Sequence, residues 1–209
     1  MTKNIEPKGI LIVISSPSGA GKTSICKKLI ELDRNLKPSI SITTREPRKN
    51  EKDGVDYFFT SKKDFDLKII NNEFLEYADV FNNKYGTLIS STNELLEKSY
   101  DVLFDIDWQG TQQLSQDNNN ILTIFILPPN KEEIERRLRE RERESSEEIV
   151  LERMSKFEDE LSHWKEYDYV VTNDNFDNCI NEIRDIISAE RKKRTRQTSL
   201  LSKIRNLTE

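Results

Sequence analysis

The sequence predicts an α/β fold with a parallel sheet at its core, and three observations point there. Apolar runs recur at Ile10 to Ile14, Val102 to Ile106, Ile121 to Leu127 and Tyr169 to Val171. Each has the length of a strand buried on both faces. Stretches of helical character separate them, so strands alternate with helices rather than with tight turns. Directly after the first run stands Ser15-Ser16-Pro17-Ser18-Gly19-Ala20-Gly21-Lys22-Thr23, a glycine-bearing loop that opens a helix.

Taken in order, Ile10 to Ile14 is the first strand, and Ser24 to Leu32 reads as the helix behind the loop. From about Ser39 to Ser90 the rhythm breaks. This stretch is rich in Phe, Tyr, Thr and Asn, with short strand-like pieces such as Tyr57-Phe58-Phe59, and reads as an α+β insertion. Val102 to Ile106 and Ile121 to Leu127 resume the sheet, with Asn118-Asn119-Asn120 as a polar turn before the latter. Beyond Pro128-Pro129 the chain is intensely charged from Lys131 to Glu148. Only Ile134 and Leu138 offer an apolar i,i+4 pair, so this helix buries a narrow stripe. Ser145 and Glu148 have capping-box spacing. Val150, Met154, Phe157, Leu161 and Trp164 then predict one face of a long helix, which carries the histidine, His163, in a structural role. Tyr169 to Val171 is the last strand. There is no internal repeat and no linker long enough to divide the chain, so residues 1–209 form one domain.

Composition narrows the function classes. A net charge of −5 gives no general attraction to nucleic acid or to an anionic membrane. Basic charge gathers at Arg191, Lys192, Lys193, Arg194 and Arg196, which reads as a solvated helix end rather than a nucleic-acid tail. The two cysteines, Cys26 and Cys179, stand far apart and suggest neither a disulfide framework nor a zinc site. Met1 to Lys8 lacks an apolar signal region, and no run approaches the ~18 apolar residues of a membrane span. The expectation is a reduced, cytoplasmic protein with no nucleic-acid or membrane partner; a homo-oligomer is compatible with the sequence.

The loop after the first strand has a chemical reading. A tight glycine-rich turn points consecutive backbone N–H groups at a phosphate, and the next helix adds its positive end. Gly19 and Gly21 supply the unusual backbone angles, Lys22 neutralises the β/γ-phosphates, and the Thr23 hydroxyl is a ligand for Mg²⁺. Ser16 stands where the strict motif has glycine. The fold class is therefore a P-loop NTPase-type parallel core, with Ser16, Pro17, Ser18, Gly19, Ala20, Gly21, Lys22 and Thr23 gripping a nucleoside triphosphate, ATP by expectation. The loop alone does not say which enzyme carries it.

Further motifs follow in order. They are Ser-Ile-Thr-Thr-Arg-Glu-Pro-Arg (41–48), Asp-Tyr-Phe-Phe (56–59), Phe-Leu-Glu-Tyr-Ala (74–78) and Tyr-Gly-Thr (85–87). Then come Asp-Ile-Asp-Trp-Gln-Gly (105–110), Ile-Leu-Pro-Pro (126–129) and Glu-Tyr-Asp-Tyr (166–169). With the phosphate loop they make the chain, from Lys8 to Arg194, resemble the guanylate kinases, which phosphorylate GMP with ATP. The resemblance implies a core at 8–38, a GMP-binding insertion at 39–90, core again at 91–130, a mobile helical lid at 131–160, and core with the C-terminal helix at 161–209.

The residues bear their own chemistry beside it. Arg45 and Arg48 flank Pro47, where two guanidinium forks can converge on one monophosphate; a basic surface turn is the plain alternative, with Lys49 and Lys52 nearby. By resemblance Tyr57, Tyr85 and Ser41 join them on the GMP phosphate. Guanine presents two adjacent donors, and one ionised carboxylate accepts both. The resemblance gives that task to Glu76, with Thr87 beside it on the base; adenine offers an acceptor where guanine offers N1–H. Asp105 and Asp107, at the end of Val102-Leu103-Phe104-Asp105-Ile106-Asp107, fall on one side of an extended strand. Either can organise Mg²⁺ and its waters or hydrogen-bond GMP, and a structural strand-end role is also open.

For the charged helix, Glu132–Arg136, Glu133–Arg137 and Glu135–Arg139 have the spacing of solvated i,i+4 pairs. The resemblance adds that Arg137, Arg141 and Arg153 close over the phosphates and, with Lys22, form the catalytic set. The family lid commonly reads Arg-Gly-Arg-Gly, whereas this chain has Arg139-Glu140-Arg141-Glu142. Thr172-Asn173-Asp174-Asn175 resembles the family segment near the ATP base and equally suits an Asn-rich turn. No general base is required, because a phosphate monoester with a second pKa near ~6 is already an anionic nucleophile at pH 7. The alternatives are a non-catalytic guanylate-kinase-like binding module and a kinase for another monophosphate.

Overall fold

The structure, a computed structural model, describes residues 9–49, 51–80, 82–117, 120–141, 147–197 and 200–208. The first apolar run forms β1 (Leu11–Ser15), buried along its whole length. The loop follows, then α1 (Lys22–Leu32), which starts two residues earlier than the apolar pattern suggests because Gly21, at φ 96°, is already its N-cap. A short strand with no apolar run of its own, β2 (Leu36–Pro38), comes next. Later in the chain β7 (Asp101–Asp105), β8 (Ile121–Leu127) and β9 (Tyr169–Thr172) complete a five-stranded sheet of order β2-β7-β1-β8-β9. Every pairing in it is parallel.

Alternation along β1 builds both layers of the core. Ile12 and Ile14 face α1 and α8 (Phe176–Lys192), packing with Ile25, Leu29, Ile180, Ile183 and Ile187. Leu11 and Val13 turn the other way, joining Val102, Phe104 and Leu114 under α4 (Trp108–Asp117). The strand order reverses at β1, so a crevice opens above its carboxyl end, the usual ligand position in open α/β sheets. The phosphate loop lies there.

The insertion folds around a second sheet. Its strands are β3 (Ile42–Thr43), β4 (Phe58–Phe59), β5 (Phe74–Val80) and β6 (Asn83–Leu88), in the order β4-β3-β6-β5. Helix α2 (Lys62–Ile70) starts at Ser61, whose side chain accepts from Asp64 N, and buries Phe65 against Phe74 at 4.5 Å between ring centroids. Core and insertion are stitched by Gln113 of α4, whose amide accepts from Tyr77 N at 3.1 Å and donates to Tyr77 O at 2.7 Å. Both bonds engage β5, an edge strand whose backbone would otherwise need water. Helix α3 (Ile89–Glu97) returns the chain to β7.

Three expectations change. The long helix through Val150 and Trp164 is in fact α6 (Glu147–Ser155), α7 (Phe157–Ser162) and a 3-10 turn at His163–Glu166. Glu158, Asp159 and Glu160 occupy the first turn of α7, where negative charge favours a fresh N-terminus. Val150 and Phe157 keep the buried face, while Trp164 points out at 43% exposure. His163 stacks on Trp108 at 3.7 Å. On α5 (Lys131–Arg141) the pairs Glu133–Arg137 and Glu135–Arg139 form, but Arg136 pairs with Glu133 and Glu140 rather than Glu132. The basic end is not simply solvated. Arg191 binds Asp33 and the buried Asp101, and Arg196 binds the buried Glu190 before α9 (Leu200–Thr208). Ser145, with the capping box it would make, lies outside the described residues, as do Asn118 and Asn119 of the polar turn and the Arg141 side chain. Among the described residues no helix is long and apolar enough to cross a membrane.

Candidate active site

The loop is built to hold its backbone fixed. Gly19 (φ 90°) and Gly21 (φ 96°) adopt left-handed angles that an L side chain resists. Ser16 is not among the positive-φ residues, so its position does not require glycine; its hydroxyl folds back to donate to Pro17 O at 2.9 Å. Asn173, buried after β9, donates to Ala20 O at 2.8 Å and thereby ties the loop to the far strand. Ala20 itself is sealed by Ile134 and Leu138 of α5 and by Val150 and Phe157. The narrow apolar stripe of the charged helix thus lies on the loop.

Lys22 extends toward the end of β7. Its Nζ lies 3.1 Å from Asp105 Oδ1 and donates to Ile106 O at 2.7 Å. Burial would pull its pKa down, but Asp105 and Asp107 outweigh that and hold it above the usual lysine range, so it is charged. Thr23 Oγ1 donates to Asp105 Oδ2 at 2.8 Å. Asp105 and Asp107 do not share a strand, because β7 stops at Asp105. Asp107 instead opens α4, accepting from Gly110 N and Gln109 Nε2 at 3.1 Å each. Two arginines, from α5 and α6, reach the loop: Arg137 Nη1 donates to Ala20 O at 3.3 Å and Arg153 Nη1 to Ser18 Oγ at 2.9 Å. Between them Glu160 accepts from Ser18 N at 2.7 Å, and burial pushes its carboxyl up.

Across the crevice, the turn after β3 carries a second polar cluster. Arg45 Nε donates to Tyr85 OH at 3.1 Å, and its Nη2 donates to both oxygens of Glu51 at 2.8 and 2.9 Å. Tyr57 meets Tyr85 edge-on at 5.9 Å. Burial, with Asp105 adding to it, raises the Tyr57 hydroxyl to about 12. Arg48 is half exposed, with Nη1 at 3.9 Å from Glu51. Deeper in, Thr87 bridges Ser39 and Ser41 at 3.2 and 3.3 Å.

Glu76 lies beside that bridge. The β5–β6 register shifts between Phe74 and Glu76, and Glu76 then stands opposite Thr87. It is 3% exposed, and its Oε1 has no hydrogen-bond partner. Burial pushes the carboxyl up to about 7; bonds from Thr87 and the charge of Lys22 oppose the rise, and Asp107 adds to it. Gly110 makes this approach feasible, since a Cβ there would sit 2.6 Å from Glu76 Oε2. A buried carboxylate oxygen without a partner is costly unless something completes it.

The expected residues therefore fall into two facing groups: Lys22, Thr23, Asp105, Arg137 and Arg153 around the loop, and Ser41, Arg45, Arg48, Tyr57, Glu76, Tyr85 and Thr87 on the insertion. Electrostatics couples them, since Lys22 acts on both Tyr57 and Glu76. Motif reading missed Glu51, Glu160 and the loop-holding role of Asn173. Glu51 is hidden among Lys49 and Lys52, which make the turn look merely basic, and Glu160 is one of several acidic neighbours.

Comparison with known proteins shows the family. The family model for guanylate kinase matches residues 8–190. A guanylate kinase of Rickettsia bellii is 51% identical over 194 residues, spanning 93% of this chain and 100% of the relative. One from Novosphingobium aromaticivorans is 48% identical over 204 residues, 97% and 92% of the two chains. The crystal structure of guanylate kinase from Anaplasma phagocytophilum superposes with a TM-score of 0.77 at 33% identity, covering 91% of this chain and 90% of that one. With its loop, insertion and facing clusters, the chain belongs to the guanylate kinase family.

Proposed function

We propose that the chain carries out its family's phosphoryl transfer from ATP to GMP with the two facing groups as donor and acceptor halves. In this reading residues 16–23 cradle the ATP phosphates, and Ser41, Arg45, Arg48, Tyr57 and Tyr85 hold the GMP phosphate. Glu76 and Thr87 read the guanine. The observation that carries the acceptor assignment is Glu76: a carboxylate buried to 3% exposure with one oxygen unpaired matches the adjacent N1–H and amine of guanine. Asp107 and Asp105 border the same space, as second partners for either nucleotide.

The residues divide the work. Lys22, held charged by Asp105, neutralises the donor phosphates. Arg137 and Arg153, already resting on the loop, spread charge off the transferring group; Arg141, at the end of the same helix as Arg137, is assigned with them. No side chain need remove a proton, since the acceptor phosphate is ionised at pH 7. Alignment and water exclusion supply the rest. The Thr23 hydroxyl and the Asp105 carboxylate are hard oxygen donors that suit Mg²⁺, directly or through water. Among the described residues no group of three or more His, Cys, Asp or Glu could hold a metal ion. When bound, Mg²⁺ supplies charge neutralisation on the transferring phosphates. The cytoplasmic setting and the place in purine nucleotide metabolism belong to the same proposal.

Calorimetric titration with GMP, inosine monophosphate and AMP tests the base reading. Inosine monophosphate keeps N1–H but lacks the amine, and AMP lacks N1–H. Affinity is expected to fall in that order; equal affinity for all three contradicts the role given to Glu76.

A further inference from the structure

Two arginines within one short turn repel each other and, left alone, would swing. In this structure Arg45 does not. Its Nη2 is gripped by both oxygens of Glu51, its Nη1 donates to Glu46 O at 2.7 Å, and its Nε donates to Tyr85 OH. The guanidinium also lies 5.5 Å from the Tyr57 ring centroid. Glu51 closes the turn onto itself as well. Arg48 N donates to Glu51 Oε2 at 2.9 Å, and Glu51 N donates to Arg48 O at 3.0 Å. Both Arg45 and Glu51 are only 15% exposed, so this is a fixed pair rather than a surface contact.

A guanidinium has five N–H donors. With Nε, Nη1 and Nη2 each holding a partner, the plane of Arg45 is set before any ligand arrives, and an Nη1 hydrogen is left for an incoming acceptor. We infer that Glu51 is the positioning residue of the monophosphate site, orienting Arg45 and the Arg48 backbone so that they meet a phosphate already arranged. This rests on the reading of Arg45 as a phosphate ligand.

The sign of the effect discriminates. By charge alone, Glu51 repels an incoming dianion, and removing it would tighten binding. As a positioning residue it does the reverse, because an arginine freed to many rotamers loses entropy on binding. Steady-state kinetics of Glu51→Ala and Glu51→Gln, with Arg45→Ala in parallel and melting temperatures for all, separates these. The expected result is a KM for GMP raised about tenfold or more in Glu51→Ala, with KM for ATP and kcat within about threefold. Glu51→Gln, which keeps one acceptor oxygen and the same shape, lies between and serves if the alanine variant does not fold. A KM for GMP that is unchanged or lowered overturns the inference, and so does a parallel rise in both KM values with a lowered melting temperature. Arg45→Ala tells the two claims apart. If it raises KM for GMP while the Glu51 variants do not, the positioning role fails and the site reading stands; if it leaves KM unchanged, both fall.

Discussion

Glu76 titrates where the protein works. With its pKa raised by burial to about 7, it is divided near neutrality between a neutral acid and a carboxylate able to accept two donors. The GMP KM should therefore fall as pH rises through about 7, and Glu76→Gln should leave only the ionisation of the GMP phosphate near ~6. The folded state binds this proton more tightly than the unfolded chain does. Stability is therefore lost as pH climbs from about 4.5 to about 7, and the deficit is complete above that range. Glu76→Gln removes the deficit: at pH 8 the free variant is expected to be more stable by about 3 kcal/mol in urea, and near pH 4 by nothing. A variant no more stable at pH 8 contradicts the buried charge. At the same scale, Lys22→Ala should lower kcat about 10²–10³-fold while far-UV circular dichroism keeps the parent spectrum; an unchanged kcat refutes its role. Lys22 and Glu76 are legible in the sequence by different routes. A lysine after Gly-x-Gly has a chemistry of its own, whereas a single glutamate acquires meaning only when β5 and Gly110 bury it.

At the level of elements, Gln113 is the joint between the two sheets. Replacing it with alanine strips two hydrogen bonds from Tyr77 and should cost about 1–2 kcal/mol in urea unfolding. The GMP KM should rise with it, because β5 carries Glu76; unchanged stability and KM would mean α4 and β5 are held by apolar packing alone. Elements with strong apolar runs, β1, β7 and β8, read directly from the sequence, since burial on both faces leaves little ambiguity of type. Boundaries set by local chemistry do not. β7 ends at Asp105 because Asp107 turns to cap α4, and the helical face from Val150 breaks because three acidic residues start α7. β2, with only Leu36 buried, has no pattern to read.

For the whole molecule, the insertion carries the cluster of Arg45, Tyr57 and Tyr85, while α5 packs Ile134 and Leu138 on the loop. Tyr57, carried by the insertion, already feels Asp105 and Lys22 of the core. Such enclosure favours a phosphate nucleophile over water. The core architecture and the insertion's existence were visible in composition and rhythm; the pairing of Arg45 with Glu51 was not, because it depends on how a seven-residue turn closes. One measurement bears most directly on the account: ADP production, coupled to an indicator reaction, with ATP and each of GMP, AMP, CMP and dTMP. Turnover with GMP far above the other three is expected, and strongest activity with AMP or dTMP, or none with any, would contradict the assignment of GMP as acceptor.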